Sequence, residues 1–391
     1  LFKNRVVIPF EGDYKAFRHV IHHELVHAMI NDLIYGGRMN NVASGQVRWS
    51  IPLWANEGLA EYLSSNWDTE ADMIIRDLAI NERIPTVKEL EYFLAYKGGQ
   101  SVWKFIAEKY GREKIGEVFQ AMKRLRGAEK GFKSAIGMDY DELTEQWHKY
   151  IKKEFYPDVA GRDEVEDIAK KLTDHKKARN VYNVSPSISP DGGKIAFLTN
   201  NLSYFDIDLI DAVTGKKIKK LIKGSRSLDF EELKFLQPGI SWSPDSKKIV
   251  FAAKSGSGDA LYIVDIESEQ KEKIPFELDG VFSATWSPQG DKLAFVGYEK
   301  GASDIYIYDI NKKTHFNLTK DIYSDSEPSW SPDGSSIAFV SDRDDAVKKS
   351  ISTAQDMIAV DYESKDIYII NIETENLKQI TSTGYNEDYP V

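Results

Sequence analysis

The chain has 391 residues, a formal net charge of −11 and no cysteine. That length accommodates two or more domains, and the lack of cysteine excludes disulfides and thiolate metal ligands. The acidic excess is uneven: residues 1–160 carry 22 Lys and Arg against 23 Asp and Glu, the remainder 29 against 39. Nothing resembles the basic stripe that nucleic-acid binding requires. No apolar run reaches the roughly 18 residues that span a membrane. The chain begins with Leu1 and its last residues stop inside a repeat, so it reads as a piece of a longer protein.

In chain order, Arg5-Val6-Val7-Ile8-Pro9-Phe10 reads as a short strand ended by Gly12-Asp13, with a helix expected from near Tyr14. The helix carries His23-Glu24-Leu25-Val26-His27. Two histidines four apart project from one side of a helix, one turn apart. Both imidazoles can then reach one zinc ion. Glu24, between them, is the residue type that serves as general base toward water at such a metal. At about 100° per residue, Phe17, Val20, Ile21, Leu25 and Ala28 share an apolar stripe that includes Glu24, with His23 and His27 at its edge. A carboxylate on a core-facing stripe is costly unless something there needs it. His22 points well away from His27, and His19 reads as a solvated surface histidine. Chance alone places an HExxH in a chain this long about one time in a hundred, so a second motif must decide.

Residues 31–53 read as a loop or short hairpin. The second motif follows: Trp54-Ala55-Asn56-Glu57-Gly58-Leu59-Ala60-Glu61-Tyr62. A catalytic zinc site pairs two histidines with one carboxylate and leaves the fourth position open. Glu57 and Glu61, four apart, share a helix face, and Leu59, Tyr62 and Leu63 cover the other sides. With HExxH upstream and NEGxxE downstream, the sequence resembles the gluzincin metallopeptidases, a clan with thermolysin-like and aminopeptidase-like members. The resemblance implies one Zn2+ held by His23, His27 and Glu57, with Glu24 as general base. It implies Glu61 as the further carboxylate that orients a ligand histidine. The gap from His27 to Glu57 is longer than in the aminopeptidase-like members, a length that a loop tolerates. By the same resemblance the strand at 5–10 would form the rim that holds the substrate backbone.

Residues 70–82 read as helix and 87–93 as a further short helix. Tyr96-Lys97-Gly98-Gly99 opens another through Tyr110, stopped by Gly111. Aminopeptidase-like members carry a Tyr-x-x-Gly at a comparable place, and Tyr96 with Gly99 matches it. The match implies that Tyr96 donates to the developing oxyanion. Two more helices follow, one with Ile115, Val118, Phe119, Met122 and Leu125 at helical spacing, the other with Leu143, Trp147, Tyr150 and Ile151. Asp139 and Glu142 make a capping box before the second. Tyr156-Pro157-Asp158 closes the helical domain, and the charged stretch 162–179 reads as one solvated helix.

The second half repeats one phrase: Ser189-Pro190-Asp191-Gly192, Ser243-Pro244-Asp245-Ser246, Ser287-Pro288-Gln289-Gly290 and Ser331-Pro332-Asp333-Gly334, with the serines 54, 44 and 44 apart. Trp242, Trp286 and Trp330 precede three of them, and Ile188 the first. Each phrase is followed by a strand-like run such as Ile195-Ala196-Phe197, then by a second such as Asp304-Ile305-Tyr306-Ile307-Tyr308-Asp309. The SPDG phrase supplies turn chemistry, and its acidic residues read as turn formers. A period in the forties is that of a propeller blade. The repeat resembles TolB-type, WD-like propellers. Four blades are present and residues 385–391 match the approach to a fifth, so an open, incomplete ring is expected. Two insertions, 224–239 and 342–365, interrupt the period and are expected in loops.

The expected architecture is multidomain: a mainly α-helical (α+β) gluzincin-type domain over 1–157, a helical linker over 158–180, and an all-β propeller over 181–391. The expected function is zinc-dependent hydrolysis of peptide bonds, with a peptide or protein as substrate and the propeller recruiting or gating it. The competing reading is a non-catalytic scaffold whose propeller binds a protein partner while the peptidase fold is inactive or latent. Neither nucleic acid nor a membrane span enters either reading. The TolB resemblance implies export to a periplasmic, surface or secreted setting in a bacterium.

Overall fold

The computed structural model describes residues 8, 14–35, 50–159, 163, 165–174, 182–201, 204–224, 232–234, 239–256, 258–343, 364–383 and 385–390. The expected strand at 5–10 lies outside the described residues, apart from Ile8, as does most of the 342–365 insertion. The chain divides into two compact units, in the main Ala16–Ala169 and Lys170–Val391. The first is helical and the second is built of antiparallel sheets, so the protein is multidomain.

The helical unit contains α1 (Tyr14–Tyr35), α2 (Leu53–Ser65), α3 (Thr69–Ile80), a 3-10 turn (Val87–Glu89), α4 (Phe93–Tyr110), α5 (Glu113–Leu125), α6 (Ala128–Ile136) and α7 (Tyr140–Val159). Local chemistry sets the ends. Asp68 accepts the Ala71 amide at 2.7 Å and starts α3. Asp139 and Glu142 cap α7 reciprocally, at 3.0 and 3.1 Å. Gly111 stops α4 with a φ of +96°, where glycine is favoured.

The core gathers Trp54, Trp103, Phe119, Phe132 and Trp147. Both central indoles find acceptors there: Trp103 Nε1 donates to the Ala55 carbonyl and Trp147 Nε1 to Ser101 Oγ, each at 3.0 Å. α2 and α4 cross at two glycines. A Cβ on Gly58 would lie 2.3 Å from the Gly99 carbonyl carbon, and one on Gly99 would lie 2.1 Å from the Trp54 oxygen. Only glycine lets the backbones come this close.

Several expectations need correction. The face of α1 turned inward carries His23, Ile30 and Ile34, which are buried, rather than the Phe17–Ala28 stripe, where Leu25 is 52 % exposed. The polar histidine edge is drawn in because it meets carboxylates on α2. α1 also runs on to Tyr35, so residues 31–35, expected as loop, are helix. The short helix at 87–93 is a single turn, because Tyr92 takes a φ of +49° before α4 begins. α6 has no counterpart in the sequence reading: its nine residues lie between Gly127 and Gly137 and hold too few apolar positions to show a period. α7 continues through Pro157 to Val159. Within 162–179 the only described helix is α8 (Val165–Ile168). Val165, Ile168 and Leu172 are spaced as one helix face, but Ile168 stays 80 % exposed, and an apolar face that packs against nothing does not sustain a long helix.

Among the described residues the second unit holds four sheets. The first is β1 (Asn183–Ile188), β2 (Lys194–Asn201), β3 (Tyr204–Asp211) and β4 (Lys217–Ile222). The third is β10 (Gly280–Trp286), β11 (Lys292–Glu299), β12 (Ala302–Asp309) and β13 (Thr314–Asn317). The fourth is β14 (Asp325–Trp330), β15 (Ser336–Ser341), β16 (Asp366–Asn371) and β17 (Leu377–Gln379). All three run in sequence order, each strand antiparallel to the next. In the second sheet β5 (Glu232–Leu233), which lies inside the 224–239 insertion expected as loop, and β6 (Ser241–Trp242) both pair to β7 (Lys248–Ser255), followed by β8 (Gly258–Asp265) and β9 (Lys271–Pro275); within the insertion Glu232–Leu233 is therefore strand.

The SPDG phrase is the turn between the first two strands of each blade. Asp191 Oδ1 accepts Ser189 Oγ at 2.6 Å and the Gly193 amide at 2.9 Å, and Gly192 takes a φ of +71°. Where the third copy has Gln289, Asp291 accepts Ser287 Oγ instead, at 3.1 Å. The preceding tryptophan ties blades together: Trp242 Nε1 donates to Ser187 O at 2.9 Å and Trp330 Nε1 to Thr285 O at 3.3 Å, each across to the blade before. The first strand of three blades bulges at a residue with positive φ, Ser185, Ser283 and Glu327, four before the turn serine. Tyr389 repeats this conformation with a φ of +55°.

Replacing Gly99 by Ala puts a methyl group into the Trp54 carbonyl. It should destabilise the helical unit by roughly 1–3 kcal/mol, read as a lower urea midpoint for that unit with the propeller transition unchanged.

Candidate metal centre

The two motifs meet because α1 carries one, α2 carries the other, and the α2–α4 crossing fixes the second helix. His23 Nε2 and His27 Nε2 lie 3.1 Å apart, and Glu57 Oε2 lies 3.2 and 3.0 Å from them. Atoms about 2.0–2.1 Å from a tetrahedral zinc stand about 3.3 Å from one another. The three donors are therefore already close to the spacing that a shared ion imposes. Their side chains are only 11, 11 and 13 % exposed.

Glu61, one turn beyond Glu57, faces the back of the same histidine. Its Oε1 lies 3.0 Å from His23 Nδ1 and 3.2 Å from His19 Nε2, and its Oε2 accepts from Lys97 Nζ at 3.0 Å. His19 Nδ1 meets Ser65 Oγ at 2.7 Å. His19 is thus not the solvated surface residue its position suggested, since the face it shares with His23 docks on Glu61. With Nδ1 of His23 donating to Glu61, Nε2 is the nitrogen left for a metal. His27 Nδ1 is buried with no partner among the described residues.

The electrostatics favour a cation at this point. Burial opposes charge on His23, but the hydrogen bonds and charges of Glu57 and Glu61 push its pKa up to about 9. Burial would raise Glu57, yet His23 and His27 hold it down to about 2. Glu61, also buried, is held well below the usual carboxylate range by His19, His23 and Lys97. A divalent ion placed here would have to displace a proton from His23.

Tyr96 stacks on His23 with ring centroids 6.0 Å apart and planes at 18°. Burial, then Glu57 and Glu61, push its phenol pKa up, so it remains a neutral donor. Glu24 is partly buried and makes no hydrogen bond or ion pair among the described residues. Its charge reaches Tyr96. The structure therefore joins His23, His27, Glu57 and Glu61 by direct contacts, sets Tyr96 against His23, and leaves the Glu24 carboxylate uncommitted.

Two further sets of donors approach metal-binding spacing among the described residues: His19, His23 and Glu61, and Asp304, Asp321 and Asp325. Each already has a buried side-chain cation. Lys97 sits on Glu61, and Arg343 Nη2 donates to Asp321 and Asp325 at 2.8 Å. Among the described residues, no Lys or Arg pairs with the His23, His27 and Glu57 set. The donor set, two imidazoles and one carboxylate, is the one a catalytic zinc takes. Lys97, beside Tyr96, belongs to none of the sequence motifs that point to the site.

Residues 2–153 match the model of the Peptidase MA superfamily and residues 231–348 that of the TolB beta propeller domain. The uncharacterized protein YhcO of Bacillus subtilis (strain 168) is 29 % identical over 121 residues, which cover 29 % of this chain and 36 % of that protein. The chain thus spans about a third of the curated relative it matches. Among solved structures, TolB from Acinetobacter baumannii is similar at 23 % identity and a TM-score of 0.41, covering 53 % of this chain and 45 % of that one. A puromycin hydrolase S511A mutant complexed with PGG is similar at 14 % identity and a TM-score of 0.39, covering 55 % and 30 %. The chain joins a Peptidase MA superfamily domain to a TolB-type β-propeller.

Proposed function

We propose that this protein is a zinc-dependent metallopeptidase, with His23, His27 and Glu57 holding the ion. The observation that carries the reading is the convergence of His23 Nε2, His27 Nε2 and Glu57 Oε2, largely buried side chains, to within 3.2 Å of one another. Zinc, when bound, supplies Lewis acidity that polarises the scissile carbonyl and acidifies a water.

The chain's own residues do the rest. Glu24 takes a proton from the attacking water at its free carboxylate and returns it to the leaving amine nitrogen. Tyr96 donates its phenol hydrogen to the carbonyl oxygen as negative charge develops there. Glu61 holds His23 in one tautomer and one orientation. The substrate is a peptide or protein, and the propeller recruits it or gates its access. An exported setting suits a chain without cysteine.

The test is digestion of an unstructured peptide mixture by the complete protein, read by mass spectrometry, with Glu24→Gln alongside. Wild type should cleave, a chelator should stop it, added zinc should restore it, and Glu24→Gln should fall at least 100-fold. The new termini distinguish endopeptidase from exopeptidase action. No cleavage by zinc-loaded wild type would overturn the reading in favour of a binding module. In the same preparation Glu61→Gln should bind zinc 10–100-fold more weakly than wild type, measured against a competing chelator.

A further inference from the structure

We propose that Lys97 is a positioning residue for the metal centre: by holding one oxygen of Glu61 it aims the other at His23 Nδ1 and leaves His23 Nε2 for the metal. The inference rests on the zinc reading above and adds to it a residue outside the HExxH and NEGxxE motifs.

Lys97 is only 7 % exposed, although it is a lysine in the first turns of a helix. Its ammonium lies 3.0 Å from Glu61 Oε2, 2.9 Å from Glu70 Oε2 and 3.3 Å from Asp68 Oδ2. Three carboxylate oxygens match its three donors. An ammonium tolerates burial only when paired in this way. The partition of the Glu61 oxygens follows. With Oε2 committed to Lys97, Oε1 is the atom presented to His23 Nδ1, at 3.0 Å, and to His19 Nε2, at 3.2 Å. Without the ammonium, nothing would distinguish the two oxygens, and the carboxylate could rotate away from the ligand.

The neighbours of Lys97 are fixed in turn. Asp68 uses Oδ1 to cap α3, which leaves Oδ2 for Lys97 and for Gln100 Nε2, the latter at 3.1 Å. The close crossing at Gly58 and Gly99 carries α4, and Lys97 with it, up to Glu61. One turn of α4 thus serves the site twice, with the Tyr96 ring against His23 and the Lys97 ammonium behind Glu61. A second metal at His19, His23 and Glu61 is not needed, because Lys97 already supplies the positive charge there.

The experiment measures zinc affinity of the metal-stripped full chain against a competing chelator. Lys97→Met should weaken binding 10–100-fold, the range seen when a partner behind a ligand histidine is lost. Lys97→Arg restores charge and donors and should recover most of the loss. Glu70→Gln touches Lys97 but not Glu61, and should shift affinity by less than about threefold. In zinc-loaded protein, side-chain 1H–15N spectra should place the His23 proton on Nδ1, and Lys97→Met should move that resonance. Folded Lys97→Met with wild-type affinity and an unmoved resonance would overturn the role while the zinc reading stands. Wild type that binds no zinc would overturn both. Should Lys97→Met not fold, the wild-type spectrum decides: a proton on Nε2, with metal on Nδ1, overturns the proposal, and a proton on Nδ1 supports it.

Discussion

The approach of two helices at Gly58 and Gly99 is the constraint on which the site depends. A side chain at either position would collide with backbone atoms at less than 2.5 Å. That contact lets the helix bearing Glu57 and Glu61 lie against the helix bearing Tyr96 and Lys97. The motif glycines therefore act at a distance from the His23, His27 and Glu57 donors. They set the separation of two elements, and the separation sets which carboxylate oxygen meets which histidine nitrogen.

Buried charge is the cost of this arrangement, and the chain manages it by pairing. Glu61 and Lys97 are 5 and 7 % exposed and satisfy one another along with His19, His23 and Asp68. The propeller deals with its own acidic cluster in the same way, placing Arg343 between Asp321 and Asp325. Breaking either pairing would leave a charge in a low-dielectric setting, which is more damaging than the pair is stabilising. Among the described residues, no Lys or Arg pairs with Glu57 in the His23, His27 and Glu57 set. That sets it apart from the two clusters that already hold a lysine or an arginine.

Much of the plan was legible in the sequence because periodicity carries it. The i, i+4 spacing of His23 and His27 and of Glu57 and Glu61 is helix geometry, and the SPDG spacing is blade geometry. Both follow from local rules that hold whatever the tertiary context. What escaped were features set by packing between elements. The apolar stripe of α1 suggested the wrong inward face, since carboxylates on α2 draw the histidine edge in. His19 looked solvated for the same reason. Lys97 was passed over because lysine is ordinarily a surface residue, and only the meeting of three helices surrounds it with carboxylates. The stretch at 162–179 has helical spacing but no packed face, and among the described residues it forms one short turn.

Zinc-edge anomalous diffraction from crystals of the zinc-loaded protein is the decisive test of the proposed centre. One strong peak is expected about 2.0–2.2 Å from His23 Nε2, His27 Nε2 and a Glu57 oxygen, with Glu61 against His23 Nδ1. A peak instead between His19, His23 Nδ1 and Glu61, or no peak in protein whose fold is intact, would contradict it.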